Sequence, residues 1–309
     1  MTMQFADIAR QAAADGAISA DEILSLRRMG WGDGSIRAEE AAAIFDVNDA
    51  LVQPTAEWSD FFVEAIGDYV LSGAEPRGYV SQDAANWLIE RLDRNGQLKG
   101  MTELELLVRV LERGFNVPQQ LKSYILQQLE QAVLTGSGPT RSGELVAGSI
   151  NTTEAALLRR VLFAPAGDGP AAVSCIEAEL LFRLKDASLG AANAPEWKRM
   201  FVQGVANYLQ GVASRTAQIS REQAAELEAF VADDSTHVAR FLGRMVQSSP
   251  DAFGVAFGKK QPTRDPLAEL SDAENVDAAE KQWLDAHVKA DGTIDEYETA
   301  LIAFLAEDA

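Results

Sequence analysis

The chain has 309 residues, 47% of them hydrophobic, and a formal net charge of −20. That length suits about two domains of ordinary size, each able to build a core. The charge speaks against nucleic-acid backbones and anionic membrane surfaces as partners, and for a basic protein partner or bound cations. No uncharged apolar run approaches the roughly 20 residues that span a bilayer. Residues 1–7 show no basic region followed by an apolar run, so no secretory signal is expected. A single cysteine, Cys175, leaves no intramolecular disulfide and no zinc site built from several thiolates. The expected location is the cytoplasm.

In chain order, the first apolar-periodic segment follows Asp15-Gly16-Ala17-Ile18, with Ile23, Leu26 and Met29 on one helical face. It breaks at Gly30–Gly34, and a second helix carries Ile44, Phe45 and Val47. After Pro54 comes a helix whose Trp58, Phe61, Phe62, Ala65, Ile66, Tyr69 and Val70 form one stripe. Ser81 opens a helix with Trp87 and Leu88 that ends at Asp93-Arg94-Asn95-Gly96. Two more helices follow, one with Leu104, Leu107, Val108 and Leu111, the next with Leu121, Tyr124, Ile125 and Leu129. Residues 136–149 read as a Gly/Ser-rich linker.

The pattern then restarts. Trp197, Met200, Phe201, Gly204, Val205, Tyr208 and Leu209 repeat the Trp58 stripe position for position, 139 residues later. Ile44–Ala50 stands opposite Leu181–Ala187, and Val80-Ser81 opposite Ile219-Ser220. Matched signatures at offsets of 137 and 139 residues indicate an internal duplication. Residues 248–275 read as a second linker. Beyond it lies a helix–loop–helix with Trp283, Leu284, Tyr297, Leu301, Phe304 and Leu305. Residues 264–309 hold three basic and thirteen acidic side chains, half of the chain's net charge. No period-2 run of β-branched residues occurs. The sequence therefore predicts an all-α, internally duplicated bundle of helix–loop–helix units. Residues 1–135 and 150–247 would form the two halves, and 276–309 a small acidic C-terminal unit.

One local motif recurs, Asp-Gly-x-Ile-x-x-x-Glu. It appears as Asp15–Glu22, Asp33–Glu40 and Asp291–Glu298, with a weaker copy at Asn95-Gly96-Gln97-Leu98 whose acid is displaced to Glu103. It resembles the second half of an EF-hand loop, in which Asp291, Asp295 and Glu298 would bind Ca²⁺ or Mg²⁺. The first half of that loop is missing, because His287 and Lys289 stand at positions one and three. The same residues also read as helix caps with no metal and no cofactor. Gly ends one helix, and Ser19 with Glu22, Asn151 with Glu154, Asp277 with Glu280, Asp295 with Glu298 and Ser220 with Gln223 form capping boxes at the start of the next.

Paired helix–loop–helix units with acidic Asp-Gly loops in an acidic helical chain resemble tellurite-resistance TerB-like domains. That resemblance implies a compact helical bundle, cation-linked and stress-related. Elsewhere the chemistry is sparse. His237, with Asp233 on the same helical face, could touch a metal, His287 reads as structural, and Cys175 as a core or loop residue. Phe253–Lys260 lacks the spacing of a phosphate loop. No catalytic constellation emerges. The function expected is a non-enzymatic scaffold or interaction module, with a cation binder and a carboxylate-dependent enzyme as alternatives.

Overall fold

The computed structural model describes residues 3–32, 34–73, 75–141, 147–164, 173–209, 278–288 and 294–307. Among them the chain is all-α. The helices are α1 (Met3–Asp15), α2 (Ala20–Gly30), α3 (Ala38–Ala50), α4 (Ala56–Ser72), α5 (Gln82–Leu92) and α6 (Met101–Arg113). There follow α7 (Gln119–Thr135), α8 (Thr152–Leu162), α9 (Cys175–Ala187), α10 (Pro195–Leu209), α11 (Ala278–Val288) and α12 (Glu296–Glu307). The only extended contact among the described residues is a single parallel bridge between Tyr79 and Phe115.

The helices begin where short polar side chains can take the free N–H groups of the first turn. Thr55 accepts from Trp58 N at 3.2 Å and Ser81 from Ala84 N at 3.1 Å. The ends of α1 and of the segment before α8 turn on glycines with positive φ, Gly16 at +65° and Gly148 at +72°. A Cβ on Gly148 would stand 3.0 Å from the Ala187 carbonyl oxygen, and one on Gly16 3.6 Å from that of Ala50. Both glycines thus let one chain segment lie against the C-terminus of a neighbouring helix.

The aromatic stripe of α4 is buried, as its periodicity predicts, with Trp58, Phe61 and Phe62 wholly inaccessible. Phe62 meets Phe45 edge-on at 5.3 Å, Phe45 meets Trp87 at 5.4 Å, and Trp87 meets Tyr69 at 5.1 Å. Around α10 the same arrangement recurs. Phe201 meets Phe182 at 5.2 Å, Phe182 meets Trp283 at 5.6 Å, and Trp283 meets Tyr208 at 4.9 Å. Edge-to-face pairs of this kind each add about 0.5–1.5 kcal/mol beyond the area they bury.

The place that Trp87 fills in the first cluster is filled in the second by Trp283, from the C-terminal helices. The sequence reading sets those helices apart behind a linker; here α12 packs on α10, and Trp283 of α11 joins the α9–α10 core. Ile219-Ser220, the sequence's match for Val80-Ser81, lies outside the described residues. So does the whole of the 248–275 linker. The described ends of the 136–149 segment are pinned: Thr140 and Ser149 are buried, and Gly148 N donates to Val133 O at 2.8 Å. Helix α7, assigned by sequence to the first half, touches α8 and α9 as well as α5 and α6.

Phe182→Ala should therefore lower the unfolding free energy by about 3–5 kcal/mol in urea titration. Hydrogen exchange should show loss of protection in residues 278–288. Unchanged protection there would mean that α11 does not depend on the α9–α10 core.

Candidate functional site

A glutamate at the third position of a helix can turn back and accept the backbone N–H of the capping residue with one oxygen. Its second oxygen is then left over. In this chain several such glutamates are buried, and a buried carboxylate needs a partner for that second oxygen. Glu154 of α8 accepts Asn151 N at 3.0 Å through Oε2, while Oε1 accepts Arg141 Nε at 2.7 Å and Thr140 Oγ1 at 2.8 Å. Glu177 of α9 accepts Ser174 N at 2.8 Å through Oε2, and its Oε1 lies 2.5 Å from Lys122 Nζ of α7. Glu298 of α12 accepts Asp295 N at 3.0 Å through Oε2, and Oε1 accepts Lys185 Nζ of α9 at 2.7 Å. Glu103 of α6 accepts Lys99 N at 2.6 Å through Oε2, and Oε1 accepts Asn48 Nδ2 at 3.4 Å.

The Glu298 site contains two of the three residues that the sequence nominates as cation ligands. Asp295 caps α12, its Oδ1 accepting Tyr297 N at 2.7 Å and Glu298 N at 2.9 Å. Its Oδ2 accepts Lys185 Nζ at 2.6 Å, and Asp186 Oδ1 lies 2.8 Å from the same ammonium. Asp295 and Glu298 thus converge on a cation, and that cation is the Lys185 side chain, 2% exposed. Asp291 lies outside the described residues, as do Asp33, Asp233, His237 and the capping residues Asp277, Ser220 and Gln223. No group of three or more His, Cys, Asp or Glu side chains among the described residues is arranged to hold a metal ion.

The other copies of the motif close on themselves. Glu22 accepts Ser19 N at 2.9 Å and Ser19 Oγ at 2.7 Å, which holds its pKa below the ordinary value. Buried Glu40 accepts Arg37 N at 3.1 Å. The displaced acid of the weaker copy, Glu103, stands at the same place in α6 as Glu298 in α12. His287 stacks on Trp283 at 4.1 Å and on Phe182 at 5.0 Å, with Nδ1 2.9 Å from Trp283 O. Cys175 is neither core nor loop; it is exposed at the first residue of α9.

Charge states follow the partners. Burial works against the Lys185 ammonium, but hydrogen bonds to Asp186, Asp295 and Glu298 outweigh it and hold its pKa above the ordinary lysine value. Burial pushes Asp295 upward, yet the Lys185 bond and the N–H groups of Glu298 and Tyr297 bring it below its usual 3.8. Glu103 has no cation against its oxygens, and burial raises it above the usual 4.5 although the Lys99 N–H opposes this. Trp58 Nε1 donates to Asn48 Oδ1 at 3.1 Å, whereas Trp197 Nε1 is buried without an acceptor among the described residues. Lysine cannot accept a hydrogen bond, and Lys185 holds the α9 position that Asn48 holds in α3.

Sequence reasoning named Asp295 and Glu298 but missed Lys185, Arg141, Lys122, Asn48 and the cap at Ser174–Glu177. The signal for Lys185 was present: the alignment of Ile44–Ala50 with Leu181–Ala187 sets Lys185 beside Asn48. Comparison with protein-family models, curated proteins and solved structures finds no match for this chain. Among the described residues, no helix is long and apolar enough to cross a membrane.

Lys185→Met should destabilise the chain by about 3–5 kcal/mol, because it strands two buried carboxylates. Lys185→Asn should cost less, since it restores the Asn48 arrangement and gives Trp197 an acceptor. Equal losses in calorimetry would separate Asn48 from Lys185. The pH dependence carries opposite signs at the two sites. Asp295 binds its proton more weakly folded than unfolded, so its contribution is present above pH 3.8 and lost as pH falls below it. Glu103 binds its proton more tightly folded, so stability rises as pH falls through its raised pKa toward 4.5. Urea titrations across this range should show the first effect vanish in Asp295→Asn and the second in Glu103→Gln.

Proposed function

We propose that this protein is a non-enzymatic helical scaffold of two tandem units, comprising α1–α6 and α7–α12 among the described residues, whose acidic surface meets a cationic protein partner. The observation that carries this reading is the fate of the buried carboxylates. Glu154, Glu177 and Glu298 each accept the N–H of their own helix's capping residue, Glu103 accepts Lys99 N just before its cap, and each also meets a side chain from a second helix or loop. Their chemistry is spent on architecture. The excess charge sits outside, where Glu39 and Asp46 of α3 and Glu57 and Asp60 of α4 are exposed. A surface of one sign steers an oppositely charged partner and sets its association rate. The tandem reading is supported by the paired aromatic clusters, by Gly16 and Gly148, and by Glu103 and Glu298 at the third position of α6 and α12.

A test uses a decalysine peptide as the probe of cationic partners. Binding should be measurable by titration calorimetry at low ionic strength and weaken steeply with added salt. Replacing Glu39, Asp46, Glu57 and Asp60 together by lysine should slow association at least tenfold. Binding that is insensitive to this reversal would place the cationic contact elsewhere and overturn this assignment.

The second reading is a divalent-cation binder of TerB-like kind, supported by the convergence of Asp295 and Glu298 on one cation. It competes with Lys185 for the same oxygens. A thermal melt of chelator-treated protein with millimolar Ca²⁺ or Mg²⁺ separates the two readings. The scaffold reading expects no shift in the wild type, and a rise that Asp295→Ala removes would establish the cation site in its place.

A further inference from the structure

An asparagine side chain can be attacked by its own backbone, because the next residue's nitrogen lies near enough to the Cγ carbon to close a five-membered ring. Two things oppose this in a folded protein. A side chain on the next residue crowds the nitrogen, and hydrogen bonds hold the asparagine amide in place. Among the described residues Asn48 is held by Glu103 and Trp58, Asn151 caps α8, Asn193 reaches Ile150 N and Ser188 O, and Asn207 accepts Val173 N. Each of these four is followed by a residue that carries a side chain. Asn95 differs on both counts: it is exposed, its amide has no hydrogen bond among the described residues, and Gly96 follows it.

The fold fixes the other parts of the reaction. Arg94 N donates to Gln97 O at 2.8 Å and Gln97 N to Arg94 O at 3.3 Å, which closes a two-residue turn on Asn95 and Gly96. Both central residues have positive φ, +57° and +87°, the conformation for which Asn-Gly is suited. A Cβ on Gly96 would meet no described atom within 4 Å. Gly96 N donates to Asp93 Oδ2 at 3.1 Å, while Asp93 Oδ1 accepts Tyr124 OH of α7 at 2.8 Å. Gln128 of α7 brackets the turn, donating to Gly96 O at 2.9 Å and accepting Leu98 N at 3.0 Å. The nucleophilic nitrogen and a carboxylate against its proton are thus held in place, and the Asn95 amide is not.

We propose that Asn95 is a site of self-deamidation in the folded chain, with Gly96 N as nucleophile and Asp93 as base. As the bond from Gly96 N to Asn95 Cγ forms, the N–H proton passes to Asp93 Oδ2, at a distance suited to general-base transfer. Asp93 returns that proton to the departing amino group, and ammonia leaves as its bond to Cγ breaks. Water then adds to one carbonyl carbon of the succinimide ring, and that carbon's bond to the ring nitrogen breaks. The nitrogen keeps one proton of the water, and the ammonia takes up the one released by the new carboxylic acid. Opening at Cγ leaves aspartate, and opening at the backbone carbon leaves isoaspartate. Nothing is oxidised or reduced.

Either product places a new carboxylate beside Asp93, in a turn that Arg94 ties to Asp49 of α3. Isoaspartate also lengthens the main chain by one carbon, so the Arg94–Gln97 bonds and the Gln128 bracket no longer fit together. The modification therefore acts on a junction of α3, α5 and α7. It is independent of the tandem reading and of the partner taken by the acidic surface.

The experiment incubates the full chain at neutral pH and physiological temperature, in buffer and in denaturing urea. Conversion at each asparagine is followed by peptide mass spectrometry, with fragmentation to separate isoaspartate from aspartate. In buffer Asn95 should convert to both products while Asn48 and Asn193 stay intact. Asp93→Asn keeps an acceptor for Gly96 N but takes no proton, so it should slow conversion in buffer about tenfold or more. In urea the variant and the wild type should react at the same rate, because the Asp93 contact belongs to the fold. An Asn95 that stays intact in buffer while it converts in urea would overturn the proposal, since the fold would then shield the site. So would an Asp93→Asn chain that converts in buffer as fast as the wild type, or faster.

Discussion

The fold depends on what a buried capping glutamate does with its second oxygen. The first oxygen is committed locally, to the N–H just before its own helix. The second faces the interior, and an ionised oxygen left there unpaired would cost several kcal/mol. Four buried sites answer with a group from a different element or segment: Arg141 for Glu154, Lys122 for Glu177, Lys185 for Glu298 and Asn48 for Glu103. A local rule of helix initiation is thereby converted into a rule for which segments are neighbours. Replacing such a pair by apolar side chains of equal volume is often neutral or stabilising. Their value here lies in register: a helix shifted by one residue would strand both the cation and the carboxylate.

That device explains what could be read from the sequence and what could not. The stripes of Trp58 and Trp197 are local and periodic, and so are the capping boxes at Ser19, Asn151 and Asp295; all were legible. Which cation meets which glutamate is a long-range fact. Lys185 is 110 residues from Asp295, and no periodicity connects them. The loops that resemble half an EF-hand were ambiguous for the same reason. Asp295 and Glu298 have the geometry of cation ligands, and only the fold reveals an ammonium in that place. The matches that suggested a duplication, Ile44 with Leu181 and Trp58 with Trp197, are local signatures, and the further match at Ile219-Ser220 lies outside the described residues. The ring that packs on Phe182 and Tyr208 comes from Trp283, a contact across more than 70 residues that no local pattern announces.

The two polar centres are built on different side chains at the same distance along a helix, Asn48 in α3 and Lys185 in α9. Asn48 both donates to Glu103 and accepts from Trp58, so it satisfies two buried groups with a single neutral side chain. The cost falls on Glu103, whose charge has no direct counter-ion and whose pKa rises. Lys185 neutralises Glu298 and draws in Asp295 and Asp186, but it cannot serve the indole of Trp197. Neither arrangement satisfies everything. With Asn the penalty is a strained ionisation, and with Lys it is an orphaned N–H worth about 1–3 kcal/mol.

Those internal pairs also shape the surface. The Arg141–Glu154 and Lys122–Glu177 pairs each withdraw one cation and one anion from solvent, whereas at Lys185 one cation is withdrawn together with the carboxylates of Asp295 and Glu298. In a chain with 27 basic and 47 acidic residues, every such site removes a cation from the smaller set. Exposed pairs such as Lys198 with Glu296 and Arg183 with Glu130 engage more of the remainder. A chain of that net charge attracts cations and repels like-charged surfaces at long range, so the few cations left outside set where an acidic surface can approach.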